Sequence, residues 1–468
     1  MPQVGVADHG VLPKGDAPGG GPASVPSGVT LAAGARRRSL IPGIPSRARG
    51  ASGVKITRTV SEDSGRVAAL SMRSRAARRH TGEGRTRMAD PRGVPGLPTM
   101  GVEEEFLLVD AEGRLAEAAS EILAAADPDP AELHPELTLA QVEAASGVHC
   151  DSWSLLEELR HARRHLSRAA ADRGLRLVAV GAPPLPTERP PALSPDPRYA
   201  RMREELGPLL DAGGSAGCHV HVAVPDLASA LRALNHLRPW LPALLALTAN
   251  SPFFSGVDTG YASWRYVRWS QLPSACPPPF LSGEQDYTDT VDGLLDSQAA
   301  LDPGMLYWDA RPSSRHPTLE VRVGDVAATA EEAVLLAVLV RGLVAVFLTE
   351  DADSPAPRLP PEVLRAHMWR AARDGVGGHC LHPVAGRLRP VREVLEALLE
   401  RIAPVLERSG DARFARTMTR VLCAVGCGAQ RQRDLRARCS GTAEFVDRVA
   451  ETTVGGPFRA AHGSELVT

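Results

Sequence analysis

Four stretches of the chain alternate apolar and polar positions with period two, and each carries a polar pair above an apolar underside. In Met100–Asp110, strand geometry turns Glu103, Glu105, Leu107 and Val109 to one face and Val102, Glu104, Phe106 and Leu108 to the other. In Leu137–Ala144 the pair is Gln141 and Glu143. In Cys218–Val224 it is His219 and His221, opposite Cys218, Val220, Val222 and Val224. In Thr318–Val323 it is Glu320 and Arg322, opposite Leu319, Val321 and Val323. A shorter apolar strand is predicted over Leu175–Val180.

Between these strands the period changes to that of helices. Helices are predicted at 116–126, at 153–173 with Gly174 as its stop, and at 227–247 with a break around Pro239 and Pro242. A long apolar helix starts at Glu331, with Asp325 expected as a cap or turn residue before it. The last third is expected to be helical at 361–373, 390–409 and 411–427, with a polar end at 430–438. Gly375, Gly377 and Gly378 loosen one connection into a candidate lid. Residues 250–280 read as irregular, dense in Tyr261, Trp264, Arg265, Tyr266, Arg268 and Trp269, and suit either a substrate wall or a cross-packed loop. If the four strands share one sheet with helices on its apolar side, the fold class is α+β and all four polar pairs face the same way.

Composition separates the chain into unlike parts. Net charge is −2, but residues 1–100 hold 16 Lys/Arg against 6 Asp/Glu, so the remainder sums to −12. Residues 1–96, rich in Gly, Pro, Ser, Ala and Arg, lack a periodic apolar pattern and are expected to form a disordered basic extension, with Met88 a candidate start. Residues 97–455 are expected to form the catalytic domain and 456–468 a flexible tail. Seven cysteines without a C-x-x-C pair argue against a disulfide framework or a thiolate zinc site and suit a reducing, cytoplasmic setting; Cys423 and Cys427 read as small core residues. The longest apolar run, Ala333–Leu348, is broken by Arg341 and short for a bilayer span, so a buried helix and no membrane anchor are expected.

Two carboxylates about 6 to 7 Å apart on one strand face repel each other unless a cation or a set of donors neutralises them. Several carboxylates with two imidazoles and an arginine make an oxygen-rich acidic surface suited to Mg²⁺ or Mn²⁺ rather than Zn²⁺. Magnesium with arginine is a means of holding polyphosphate and of neutralising a transferring phosphoryl group. Neither G-x-x-x-x-G-K-[ST] nor G-x-G-x-x-G occurs, so nucleotide would rest on metal bridges and arginine. His219-x-His221 alone also suits a metal-dependent hydrolase, and the basic extension alone suits a nucleic-acid-associated protein.

Taken together, Gly101–Phe106, Gln141–Glu143, Gly217–Val222, the Trp264–Pro279 segment, Thr318–Asp325, Trp369–Arg373 and Gly428–Gln432 resemble the bacterial type 2 glutamate-cysteine ligases, or carboxylate-amine ligases. The resemblance runs from about Leu97 to about Val449, in order. It implies a curved, mainly antiparallel sheet forming a funnel, like that of glutamine synthetase, with helices on its outer face. It implies Glu103, Glu105, Glu143 and Glu320 as magnesium ligands, with His219 and His221 lining the metal and substrate pocket. Arg322 would contact ATP phosphates or an acyl phosphate, which with Glu320 makes the catalytic pair. Arg265 and Arg311 are implied at the substrate carboxylate. The implied reaction joins an acid, glutamate, to an amine, cysteine, with ATP and Mg²⁺. No nucleic-acid partner is expected, and a homodimer is compatible with the resemblance.

Overall fold

The structure is a computed structural model that describes residues 96–126, 131–211, 214–350 and 354–455. The expected extension up to residue 95, with Met88, and the expected tail from residue 456 lie outside the described residues. In chain order the elements begin with β1 (Met100–Val109), α1 (Ala119–Ala126), β2 (Glu132–Pro135), β3 (Gln141–Ala145), α2 (Ser152–Ala171) and β4 (Arg176–Val178). Next come α3 (Pro197–Leu206), α4 (Pro208–Asp211), β5 (Gly217–Ala223), α5 (Leu227–Leu237), α6 (Leu241–Thr248), and the short pair β6 (Phe253–Phe254) and β7 (Val257–Asp258). They are followed by α7 (Trp264–Trp269), α8 (Glu284–Asp296), β8 (Ala310–Pro312), β9 (Thr318–Asp325) and α9 (Ala330–Thr349). The last third holds α10 (Pro361–Asp374), the hairpin β10 (His379–His382) and β11 (Arg387–Pro390), α11 (Val391–Ser409), α12 (Ala412–Val425), α13 (Gly428–Arg436) and α14 (Thr442–Val454).

One open, seven-stranded sheet runs β2-β3-β1-β5-β9-β8, with β4 pairing the far end of β1, and every pairing is antiparallel. Its apolar face is covered. Val102, Val220, Val222, Leu319, Val321 and Val323 meet Leu234 of α5, Leu244 of α6, Leu336 and Leu343 of α9 and Leu398 of α11 in one core. Each such side chain, fully buried, contributes about 2 kcal/mol. Phe106, Leu108, Val142 and Leu177 form a second core with Ile122 of α1, Leu166 of α2 and Phe445 and Val449 of α14.

Helix α9 is apolar on all sides because it runs through the first core. Among the described residues it is the one helix long and apolar enough to cross a membrane, and 83% of that window is buried inside the protein. Arg341, its charged interruption, is buried too: it donates to Cys150 O at 2.7 Å and lies 3.9 Å from Asp411. None of the seven cysteines forms a disulfide.

Several expectations need correction. Asp325 does not cap α9; Thr329 does, accepting from Glu332 N, while Asp325 ends β9, fully buried. The glycine-rich connection is not a free lid. Gly375 has φ +62°, and a Cβ there would lie 2.9 Å from Ala262 Cβ and 3.0 Å from Cys427 Sγ, so the segment is packed and continues into the β10–β11 hairpin. The aromatic segment is not irregular throughout, since it contains α7, capped by Ser263, whose Oγ accepts from Tyr266 N. Helices α3, α4, α8 and α14 and the strands β2, β6, β7, β8, β10 and β11 were not predicted. The short strands gain their pairing from distant or hairpin partners, and α8 has no buried residue to mark a face.

Candidate functional site

The register brings the predicted polar pairs onto one surface. Glu105 stands opposite Glu143, Glu103 opposite His219, and His221 opposite Glu320, which in turn stands opposite Arg311 of β8. Between Cys218 and Val220 the β5–β9 register shifts, so Arg322 and Val323 together oppose His219. Such a bulge re-aims the side chains around it. Here it returns Asp325 to the face of Gly217, its partner in the ladder. The face opens into a cavity of about 610 Å³, within the range of small-molecule sites. Its floor is Glu103, Glu105, Gln141, Glu143, His219, His221, Glu320 and Arg322; its far wall includes Tyr199, Met202, Leu210, Leu272 and Tyr307.

Hydrogen bonds set the charge state of this floor. His219 Nδ1 lies 3.1 Å from Glu103 Oε2, and Nε2 lies 3.6 Å from Glu105 Oε1 without a hydrogen-bond partner. Burial and Arg322 push the His219 imidazole below its ordinary pKa. A neutral ring that donates Nδ1–H to Glu103 leaves the Nε2 lone pair aimed at the carboxylates, the arrangement of a metal-ligating histidine. His221 Nδ1 is 2.9 Å from Thr318 Oγ1 and its Nε2 is 3.2 Å from Glu103 Oε1. Although burial opposes it, bonds from His219 and His221 hold Glu103 well below the usual carboxylate range.

The other end of the floor is crowded with like charge. Burial, then Glu136, Glu103 and Glu105, push Glu143 well above its ordinary pKa. Glu136 itself is pushed up to about 7 by burial and Glu105. Glu105 Oε2 accepts from Gly217 N at 2.6 Å. Among the described residues two groups each bring their ligand atoms within 4.8 Å of one another, Glu103–His219–Glu320 and Glu105–Glu143–His219. The orphaned His219 Nε2 beside mutually repelling carboxylates fits a hard divalent cation.

Most sequence-predicted site residues therefore meet, with three differences in role. Glu320 is already neutralised: Arg311 Nε donates at 2.8 Å and Arg311 Nη2 at 3.3 Å, and Arg322 Nη1 donates from the same strand, holding Glu320 below the usual range against burial. His221 belongs to neither ligand set. Arg265 does not line the cavity; one turn along α7, Arg268 does. Arg265 instead comes so close to β5 that a Cβ at Gly217 would run into its Nη2 and lie 3.1 Å from His219 Nε2. Sequence reasoning missed Glu136, which sits between short strands with no alternation to mark its face. It also missed Arg163, although a charged residue on the apolar stripe of Leu155, Leu159 and Leu166 was a legible signal that a buried anion faces it.

Solved ligases share this fold. A glutamate--cysteine ligase from Francisella tularensis, solved with AMP, superimposes with TM-score 0.55 at 14% identity over 77% of this chain and 89% of that one. A bifunctional glutathione synthetase from Pasteurella multocida gives TM-score 0.56 at 15% identity over 76% of this chain; the matched part is 52% of that longer protein. Both likenesses show the fold. Sequence sets the family: the pattern described as "Glutamate-cysteine ligase family 2(GCS2)" matches residues 99–456. Proteins named "Putative glutamate--cysteine ligase 2-1" are 50% identical in Saccharopolyspora erythraea, over 79% of this chain and 98% of that one, and 48% identical in Nocardia farcinica, over 72% and 88%. The chain belongs to the glutamate-cysteine ligase family 2.

Proposed function

We propose that this ligase uses ATP to convert a carboxylate, glutamate, into an acyl phosphate, and that an amine, cysteine, displaces the phosphate to leave γ-glutamylcysteine. The observation that carries the reading is the convergence of Glu103, Glu105, Glu143 and His219 on one open sheet face, beside Arg311 and Arg322. A carboxylate anion is a poor electrophile, so activation must precede amide formation.

Glu103, Glu105, Glu143 and His219 would hold magnesium, with Glu136 within the same acidic group. Glu320 would share Oε2 between a cation and Arg311, since that oxygen accepts one bond, from Arg311 Nε, and keeps a second lone pair. When bound, the metal supplies the positive charge that draws ATP phosphates onto an acidic surface and offsets charge on the transferring phosphoryl group. The chain's own residues do the rest. Arg322 and Arg311, fixed by Glu320, present guanidinium charge where oxygens gain negative charge. His219, kept neutral, orients Glu103 through Nδ1–H. The covered back face and the apolar far wall limit water at the acyl phosphate. The sheet would then act as a funnel, nucleotide on the acidic floor and the amine approaching along the apolar wall.

The hydrolase alternative needs both imidazoles of His219-x-His221 on one ion, and among the described residues only His219 joins a ligand set. The test is phosphate release from ATP and Mg²⁺ with glutamate, cysteine or both, with the product identified by mass. Amide formation that requires ATP is expected. Turnover without ATP, or ATP hydrolysis with no amide from any acid and amine tried, overturns the proposal.

A further inference from the structure

The middle residue of the Glu103-Glu104-Glu105 run faces away from the cavity. Glu104 is 1% exposed and is gripped by Arg163 of α2, Nε to Oε2 at 2.9 Å and Nη2 to Oε1 at 2.5 Å. Arg163 is also 1% exposed, and its remaining donors reach Ala327 O at 2.8 Å, Ala328 O at 3.2 Å and Thr453 O at 3.0 Å. All five guanidinium N–H groups are thereby bonded. The side chain also lies over the Phe106 ring, 5.3 Å from its centroid.

These bonds join particular pieces of chain. Glu104 lies between the two β1 carboxylates of the site, and Ala327 and Ala328 lie two and three residues past the end of β9, which carries Glu320 and Arg322. Strand β5, with His219, is held between them. A buried ion pair is a poor stabiliser, because apolar side chains of similar size often match or exceed it. What apolar side chains lack is five directed bonds to three segments.

We propose that the Glu104–Arg163 pair is a positioning element: it fixes the spacing between the carboxylates of β1 and Glu320 of β9, and so the affinity of the floor for its divalent cation. The inference rests on the ligase reading of that floor. Outer partners that orient ligands typically change metal affinity by about 10- to 100-fold when removed.

The test replaces both partners, Glu104→Leu with Arg163→Met, which removes the bonds without leaving a lone buried charge. Mn²⁺ binding to the substrate-free protein is measured by electron paramagnetic resonance titration beside thermal unfolding, with wild type and Glu103→Gln as references. Mn²⁺ affinity about tenfold or more below wild type, in a double variant that still unfolds cooperatively well above the titration temperature, is the expected result. Unchanged Mn²⁺ affinity in that variant overturns the positioning role, while a wild type that binds Mn²⁺ and a Glu103→Gln variant that does not leave the ligase reading standing. A wild type that binds no Mn²⁺ overturns both. If the double variant does not fold, Glu104→Gln, which keeps the shape and loses the charge, carries the same comparison with the same two outcomes.

Discussion

Glu105 and Glu143 face each other across β1 and β3, a placement that costs stability in any strand pair lacking a cation. That cost explains why these residues suit a site and not a scaffold, and it has a measurable sign. Glu143→Gln removes one of the repelling charges, so in chelator at pH 8 its unfolding temperature should exceed that of wild type by a few degrees, on the order of 1 kcal/mol, while ATP-dependent amide formation falls at least about 100-fold, the scale of losing a group that stabilises developing charge. A lower unfolding temperature in chelator would contradict the crowding argument. Asp309 gives a separate pH effect. Its carboxyl, buried and bonded by Tyr266 OH at 3.1 Å, is pushed up to about 7 by burial. A raised folded pKa means that stability is full below about pH 4 and is lost as pH rises through about 7. Asp309→Asn should remove that loss, narrowing the stability difference between pH 5 and pH 8 by roughly 2–3 kcal/mol in denaturant titrations.

Helix α7 depends on the end of β9. Asp325 accepts from Asn250 N at 2.8 Å, Ser251 Oγ at 2.7 Å and Ser263 Oγ at 2.7 Å, and Ser263 caps α7, which carries Arg265 and Arg268. Asp325→Ala would leave these three donors buried and unpaired, a cost of about 1–3 kcal/mol for each donor that finds no water. The expected outcome is an unfolding temperature lower by at least about 5 °C and a KM for the acid raised more than kcat is lowered. Strand β5 constrains the same helix from the other side. Gly217→Ala would force Arg265 off its seat and disturb His219, so the variant should fold while Mg²⁺-dependent turnover falls at least about tenfold, as for a displaced supporting side chain. Wild-type turnover would show that Arg265 yields freely. Both dependences were invisible along the chain because Asp325, Ser263 and Gly217 meet only through the sheet and the loop folded against it.

A chain shortened to begin at Met88 retains all of the family match, residues 99–456, and should keep kcat/KM within about twofold of the full chain, a difference of less than 0.5 kcal/mol. A tenfold loss would give the basic extension a part in the reaction. The division of labour in the matched region is plain: helices α5, α6, α9 and α11 supply the apolar support, and the polar face they leave open supplies the chemistry.

Period-two alternation is a property of the backbone, so the pairs Glu103/Glu105, Gln141/Glu143, His219/His221 and Glu320/Arg322 shared faces whatever the partner strands turned out to be. The apolar undersides, the buried α9 and the repulsion within the acid run were equally local. Strand order and register were not, because they depend on hydrogen bonds between segments as far apart as Glu103 and His219 or His221 and Glu320. Those pairings decided that Glu105 meets Glu143, that Arg311 and Arg322 neutralise Glu320, that a bulge turns Asp325 toward α7, and that Glu136 arrives from a segment without periodicity. They also decided that Glu104, alike in letters to its neighbours, belongs to Arg163 behind the sheet: alternation excluded it from the floor, and only packing against α2 supplied the cation it requires.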